Sequence, residues 1–434
     1  MGQTERGETP LEREAVALPE ILISVAHRPV STRRNGFRFQ FGLRALIVLI
    51  LVVGVASGIL ARCIARAKHQ HEIVEELTWH RSLAKYDHGA KQGRGEYAAQ
   101  GKYFWQQIDF WHNVIEVESD FFVPMQAHEL KRIAELPALE RLELRLDDRA
   151  AGSPLPRLAC RNRLKHLRIW NRLCAGDANR IAECTSLTSL AIRVDAQSER
   201  ELRVLDRLSN LTSLSILGQV TDEVLSEWKH MTNLKDLLLD DVSAISEPVL
   251  TSLLRRNSDL INIQLRSANA TIPVCEALGE CGSLKSLSLF QSTLNEDGLS
   301  KLQGLGLLEN LSIPYTDVTG NALSGANSFP QLRHLDVAGT KITDTLVTKI
   351  DGELIEELIL AETEVSPAPF RDASRWPNLA FLSLGKPAGS EAELEQVLQL
   401  PNLQRLLADG PVTLAFRQRH DGRYWPHAES DFEE

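Results

Sequence analysis

The sequence has little of what covalent or metal chemistry requires. Cysteine is scarce, six in 434 residues, and no CxxC pair occurs. His71-Glu72 and His128-Glu129 each open like a zinc-protease motif, but neither has a second His four residues after the first, so two ligands never share one helix face. His69 and His71, two apart on a helix, point away from each other and read as solvated. There is no glycine-rich phosphate loop and no nucleophile elbow. No catalytic residue, metal ligand or cofactor is expected, and an enzyme is not the reading. Base is also short of acid, 48 Lys and Arg against 58 Asp and Glu for a net charge of -10. That balance argues against nucleic acid as the main partner.

Long apolar runs are rare, and one stands out. Ala45 to Ala61 (ALIVLILVVGVASGILA) holds 17 residues without a charge. As a helix it spans about 26 Å, and Leu43 with snorkelling Arg44 and Arg62 brings it to the thickness of a hydrocarbon core. The 44 residues ahead of it exceed a usual signal-peptide n-region, and Arg62 stands before Cys63 where lipoprotein signals need a small residue. The run reads as an uncleaved single-pass anchor. Five Arg precede it and Arg62, Arg66, Lys68 and Arg81 follow, so the positive-inside rule puts the N-terminus in the cytoplasm by a margin of one charge.

Most of the remaining chain repeats one phrase, apolar at offsets 0, 3 and 5. Its twelve copies begin at Leu139, Leu164, Leu187, Leu211, Leu234, Leu260, Leu284, Leu308, Leu332, Ile355, Leu379 and Leu403, at intervals of 23 to 26 residues. Such a period means a solenoid. The alternation predicts a short strand with one face buried. A Thr, Ser or Asp and an amphipathic run follow, as at Thr221-Asp222 and Thr343-Asp344, and read as an N-cap and a short helix. Stacked units form a parallel sheet backed by helices, and the wider spacing of helices bends the array with its strands inside.

LxxLxL at this period, with T-D before the helix, resembles the leucine-rich repeat family over roughly residues 114–409. Cys184 and Cys281, three before the phrase, are similar to its cysteine-containing variant. Thr316, Thr340 and Thr363 stand where many repeats keep an Asn. The resemblance implies an α/β leucine-rich repeat solenoid, a horseshoe with a parallel concave sheet and short convex helices, preceded by one transmembrane helix. The chain also resembles bacterial single-pass membrane-anchored repeat proteins, which implies a non-catalytic binding role at the cell envelope. The alternative is a cytoplasmic adaptor or scaffold like the horseshoes of F-box ubiquitin-ligase adaptors, although no F-box-like segment precedes the repeats.

The chain therefore divides into a disordered basic tail (1–42), the membrane helix (43–62), a juxtamembrane helix with a glycine-bearing spacer (63–100), an N-terminal cap with a degenerate first repeat (101–138), twelve repeats (139–410), and a C-terminal cap with an acidic tail (411–434). Tyr103, Phe104, Trp105, Phe110, Trp111, Phe121 and Phe122 read as a lid over the open core, while Val412, Leu414 and Phe416, followed by Tyr424 and Trp425, read as its counterpart at the other end. Cys160 and Cys184 share nearly one phase in adjacent repeats and either pair or stay free.

Offsets 2, 4 and 6 point into the hollow. In the first three repeats Arg141, Arg145, Arg168 and Arg193 oppose Glu143. Beyond them Asp236, Asp240, Asp336, Glu357 and Asp409 oppose Arg266 and Arg405. The hollow is thus basic at one end and acidic at the other. Arg145, Arg168, Trp170 and Arg193, with Asp236, Asp240 and Phe290, are the candidate binding residues, since Arg and Trp are frequent interface anchors. The expected partner of the basic end is an acidic protein segment or anionic lipid head groups.

Overall fold

The computed structural model describes residues 43–79, 82–87, 91–92, 113–119, 124–146, 154–196, 198–324, 328–385 and 391–408. The expected lid aromatics, the basic tail before residue 43, Asp409 and the C-terminal cap lie outside these residues. The chain forms two compact units, Met1–Ile59 and Leu60–Glu434.

In the first unit the apolar run is helical, as part of α1 (Leu43–Trp79), and Ile50, Leu51, Val52, Val53 and Val55 are exposed. This is one helix long and apolar enough to cross a membrane.

The second unit is an open sheet whose strands follow chain order except at its N-terminal edge. Twelve strands each begin two residues after a phrase start: β4 (Arg141–Leu144), β5 (His166–Arg172), β6 (Ser189–Arg193), β7 (Ser213–Gln219), β8 (Asp236–Asp241), β9 (Asn262–Arg266), β10 (Ser286–Phe290), β11 (Asn310–Ser312), β12 (His334–Asp336), β13 (Glu357–Leu360), β14 (Phe381–Leu384) and β15 (Arg405–Ala408). A thirteenth, β3 (Val114–Glu118), precedes them, and from β3 to β15 every adjacent pair is parallel. Offsets 0, 3 and 5 are buried in the first eleven repeats, as at Leu284, Leu287 and Leu289, while Leu403 and Ala408 of the last are partly buried. At about 1.5–3 kcal/mol per buried leucine, these rows are the main stabilising term. Short helices and 3-10 turns, such as Glu247–Arg256, Ile272–Gly279 and Asn321–Leu323, cover the other side. The architecture is a leucine-rich repeat solenoid.

Thr in place of Asn is accommodated by a local bond. Thr316, Thr340 and Thr363 are buried, and each hydroxyl donates to the carbonyl three residues back, at 2.8, 2.6 and 2.7 Å. Thr221 and Thr343 do occupy N-cap positions, but neither side chain caps its own helix. The T-D pair instead ties repeats together. Asp222 accepts the Ser246 N–H one repeat on (2.7 Å), and Asp344 accepts both the N–H and the hydroxyl of Ser366 (2.7 and 2.6 Å). Thr221 donates backward to Glu199 (2.5 Å).

The N-terminal end differs from the expected spacer. Leu83–Tyr86 is a strand, β1, that pairs antiparallel with β3 and with β2 (Lys91–Gln92), so the sheet is not parallel throughout. Within the second unit, Ile73, Val74 and Leu77 of α1 are fully buried and close this end of the core. His69 and His128 keep exposed side chains and each faces a carboxylate: His69 Nε2 lies 2.8 Å from Glu135, and His128 Nε2 lies 3.3 Å from Glu76. Glu135 and His128 lie on or beside α2 (Ala127–Ile133). Cys160 and Cys184 are both free thiols, buried in the repeats.

Candidate functional site on the sheet face

Register alignment carries offset 2 as one row from Glu116 through Arg141, His166, Ser189, Ser213 and Asp236 to Arg405. Offset 4 runs beside it from Glu118 through Glu143, Arg168 and Ala191. The alternating partial exposure of these residues makes the rows one continuous surface.

At the N-terminal end the fold brings Arg168, Trp170 and Glu143 into one cluster. The Trp170 indole N–H donates to Glu143 Oε1 at 2.8 Å, the Arg168 guanidinium is 3.7 Å from the same oxygen, and its Cζ lies 5.2 Å from the Trp170 ring centroid. Arg145 and Arg193 do not join it through register. The Arg145 N–H donates to Ser119 (2.7 Å), and β5 is irregular between Arg168 and Arg172, so Arg193 pairs with Arg172 instead of Trp170. Next to Trp170 the Asn171 amide accepts from Leu146 N–H (2.5 Å) and donates to its carbonyl (2.9 Å), imitating a strand partner on the β4 side. This end is also less basic than the repeats alone imply. β3 adds Glu116 and Glu118, and Glu116 lies 3.3 Å from Arg141 and 3.5 Å from Lys85. His166 is held below its ordinary pKa by burial and by Arg141 and Lys165, so it does not add charge at neutral pH.

Toward the other end, Asp236 accepts from Asn262 (2.5 Å), and Asp240 lies 3.6 Å from the Arg266 guanidinium. Arg266 covers the Phe290 ring at 5.2 Å. Phe290 in turn meets Tyr315 edge-on, with centroids 5.8 Å apart and the planes at 75°. The Tyr315 hydroxyl donates to Glu362 Oε1 at 2.9 Å, which raises its own pKa. A continuous strip, Asp240–Arg266–Phe290–Tyr315–Glu362, therefore crosses six repeats. Beside it Asp336 accepts from Ser312 (2.9 Å) and from Ala338 N–H (3.1 Å), and burial holds its carboxyl above the usual range.

Strand alternation does not select Tyr315 or Glu362, because both stand at offset 7, beyond the pleat. Their φ angles are +55°, and Gly218, Ser267, Gln291 and Gly339 at the same offset are also left-handed. The turn redirects the side chain along the edge of the face. Two glycines in one phase, Gly218 and Gly339, were the available signal. Among the described residues, no group of three or more His, Cys, Asp and Glu is placed to hold a metal ion.

No protein-family model matches the sequence, and no curated protein matches it. Solved structures do. A leucine-rich repeat protein of Leptospira interrogans is 20% identical over 65% of this chain and 76% of its own, with a TM-score of 0.43. An internalin of Listeria monocytogenes is 15% identical over 65% and 88%, at 0.38. The Rad7–Elc1 complex of yeast aligns at 14% identity over 86% of this chain and 96% of the matched chain, at 0.47. All three scores lie below 0.5, and the fold assignment rests on the repeat geometry of this chain.

Proposed function

We propose that this chain is a non-catalytic interaction protein, anchored through the apolar part of α1, that binds a protein or peptide on the exposed face of its sheet. The observation that carries this reading is the order already present on that face. Arg168, Trp170 and Glu143 are locked to one another, and so are Asp240, Arg266 and Phe290. A partner meeting fixed side chains loses less conformational freedom on binding. Arg145, Arg168, Trp170 and Arg193 would receive an acidic segment, while Asp236, Asp240 and Phe290 would contact the partner farther along. With its N-terminus in the cytoplasm, the repeats would face the envelope.

Site-specific photocrosslinking in intact cells tests this. p-Benzoylphenylalanine replaces Trp170 or Phe290 on the sheet face, or Ile272 on the helix side. Discrete adducts from the first two and none from the third support the reading. Adducts only from Ile272 overturn it. Retention of the chain in carbonate-washed membranes, and its release when polar residues replace Ile50–Val53, checks the anchor.

A further inference from the structure

Four aromatic side chains lie on or at the edge of the sheet face among the described residues, and three carry a guanidinium. Arg168 covers Trp170, Arg266 covers Phe290 and Arg405 covers Phe381, each at 5.2 Å from Cζ to ring centroid. Tyr315 is the fourth, and among the described residues it has no such cover. It is also the most exposed aromatic on this face, at 43%.

The Tyr315 ring is nonetheless fixed. It lies against Gly339, where a Cβ would stand 2.5 Å from Tyr315 Cδ1, so only glycine leaves the slot open. Phe290 holds one edge, and the hydroxyl is tied to Glu362 two repeats on. A bulky residue at φ +55° is unusual, and here it presents an ordered ring to solvent. The surroundings are electrically one-sided. Over β10–β13 the positions at offsets 2, 4, 6 and 7 include Asp336, Glu357 and Glu362 and no Lys or Arg, the one basic side chain being His334, 3.0 Å from Glu357, while Ala338, Gly339 and Ala361 leave the floor without bulk.

We infer that the exposed side of β10–β13 binds an arginine-bearing peptide segment of a partner protein, with the incoming guanidinium on Tyr315 and against the carboxylates of Glu362 and Asp336. The arrangement completes at Tyr315 what Arg266, Phe290 and Asp240 make internally, a cation on an aromatic face beside an acid. The inference rests on the reading of this face as a protein-binding surface, and it names the chemistry of one subsite.

The test is fluorescence anisotropy of a labelled synthetic peptide of four alternating Arg-Gly pairs, titrated with the full chain in detergent micelles. Saturable binding is expected, weakened about fivefold or more by Tyr315→Ser and by Glu362→Gln, and changed less than about twofold by Tyr315→Phe. Glu280→Gln removes the same charge from the helix side and is expected to leave affinity unchanged. Native unfolding midpoints confirm that each variant folds, and Glu362→Gln carries the test alone if Tyr315→Ser does not. Equal binding by wild type and Glu362→Gln, or no binding, overturns the inference. Crosslinking from Trp170 or Phe290 together with failure here would sink only this subsite, whereas absence of both would sink the face as a whole.

Discussion

Gly352 and Trp376 occupy the same phase of adjacent repeats, three residues before the phrase, and each is shaped to the other. A Cβ on Gly352 would stand 2.6 Å from Trp376 Cε3 and 2.5 Å from the Arg375 carbonyl oxygen. The Trp376 ring is fully buried, packs on Phe370 at 5.2 Å, and donates its N–H to the Pro369 carbonyl at 3.3 Å. The row that holds Cys184 and Cys281 elsewhere here alternates nothing with indole.

It follows that Gly352→Ala forces the indole or the backbone to move. Overpacking of this kind costs about 1–3 kcal/mol, and the backbone contact puts this site toward the upper end. Urea unfolding of the variant should show a lower midpoint, and pairing it with Trp376→Leu should recover part of the loss. An unchanged midpoint in Gly352→Ala would mean that neighbouring repeats absorb the volume by shifting.

What the sequence disclosed followed from repetition. Each leucine row needs the same residue at the same offset, so the strands could be read to within a residue at Arg141, His166 or Ser286. The ends break the repeat and were therefore opaque. Ile73, Val74 and Leu77 showed an apolar side, but nothing local said that it closes the first repeats. Leu83–Tyr86 lay hidden ahead of a glycine-bearing stretch because its partner, Val114–Glu118, is antiparallel and distant in sequence. On the sheet face Arg168 and Trp170 were legible from alternation. Tyr315 and Glu362 were not, since a left-handed turn takes offset 7 out of the pleat.

The cysteines give a prediction about reactivity. Burial pushes the thiols of Cys160 and Cys281 up to about 11 and those of Cys184 and Cys275 up to about 12. At pH 8 that leaves roughly one thiolate in a thousand or fewer, and only the thiolate attacks an alkylating agent. Iodoacetamide should leave these four unmodified in the native chain and label all of them in urea, as read by peptide mass spectrometry. Fast native labelling of Cys184 would reveal local opening of its repeat.

Asp336 gives a prediction with a definite sign. Burial is the larger influence on its carboxyl and raises the pKa above 3.8, against the lowering effect of the Ala338 N–H and the Ser312 hydroxyl. The folded chain therefore holds this proton more tightly than the unfolded chain does. The stabilisation is present in full below pH 3.8 and is lost as pH rises through the higher folded value. Each tenfold difference in proton affinity corresponds to about 1.4 kcal/mol. Asp336→Asn retains an acceptor for Ala338 or Ser312 but has no proton to lose. Urea unfolding of both proteins at steps upward from pH 3.8 should show the wild type losing stability relative to Asp336→Asn as pH rises. Parallel curves would show that solvent reaches the carboxylate in the folded state and that the Ser312 and Ala338 bonds offset its burial.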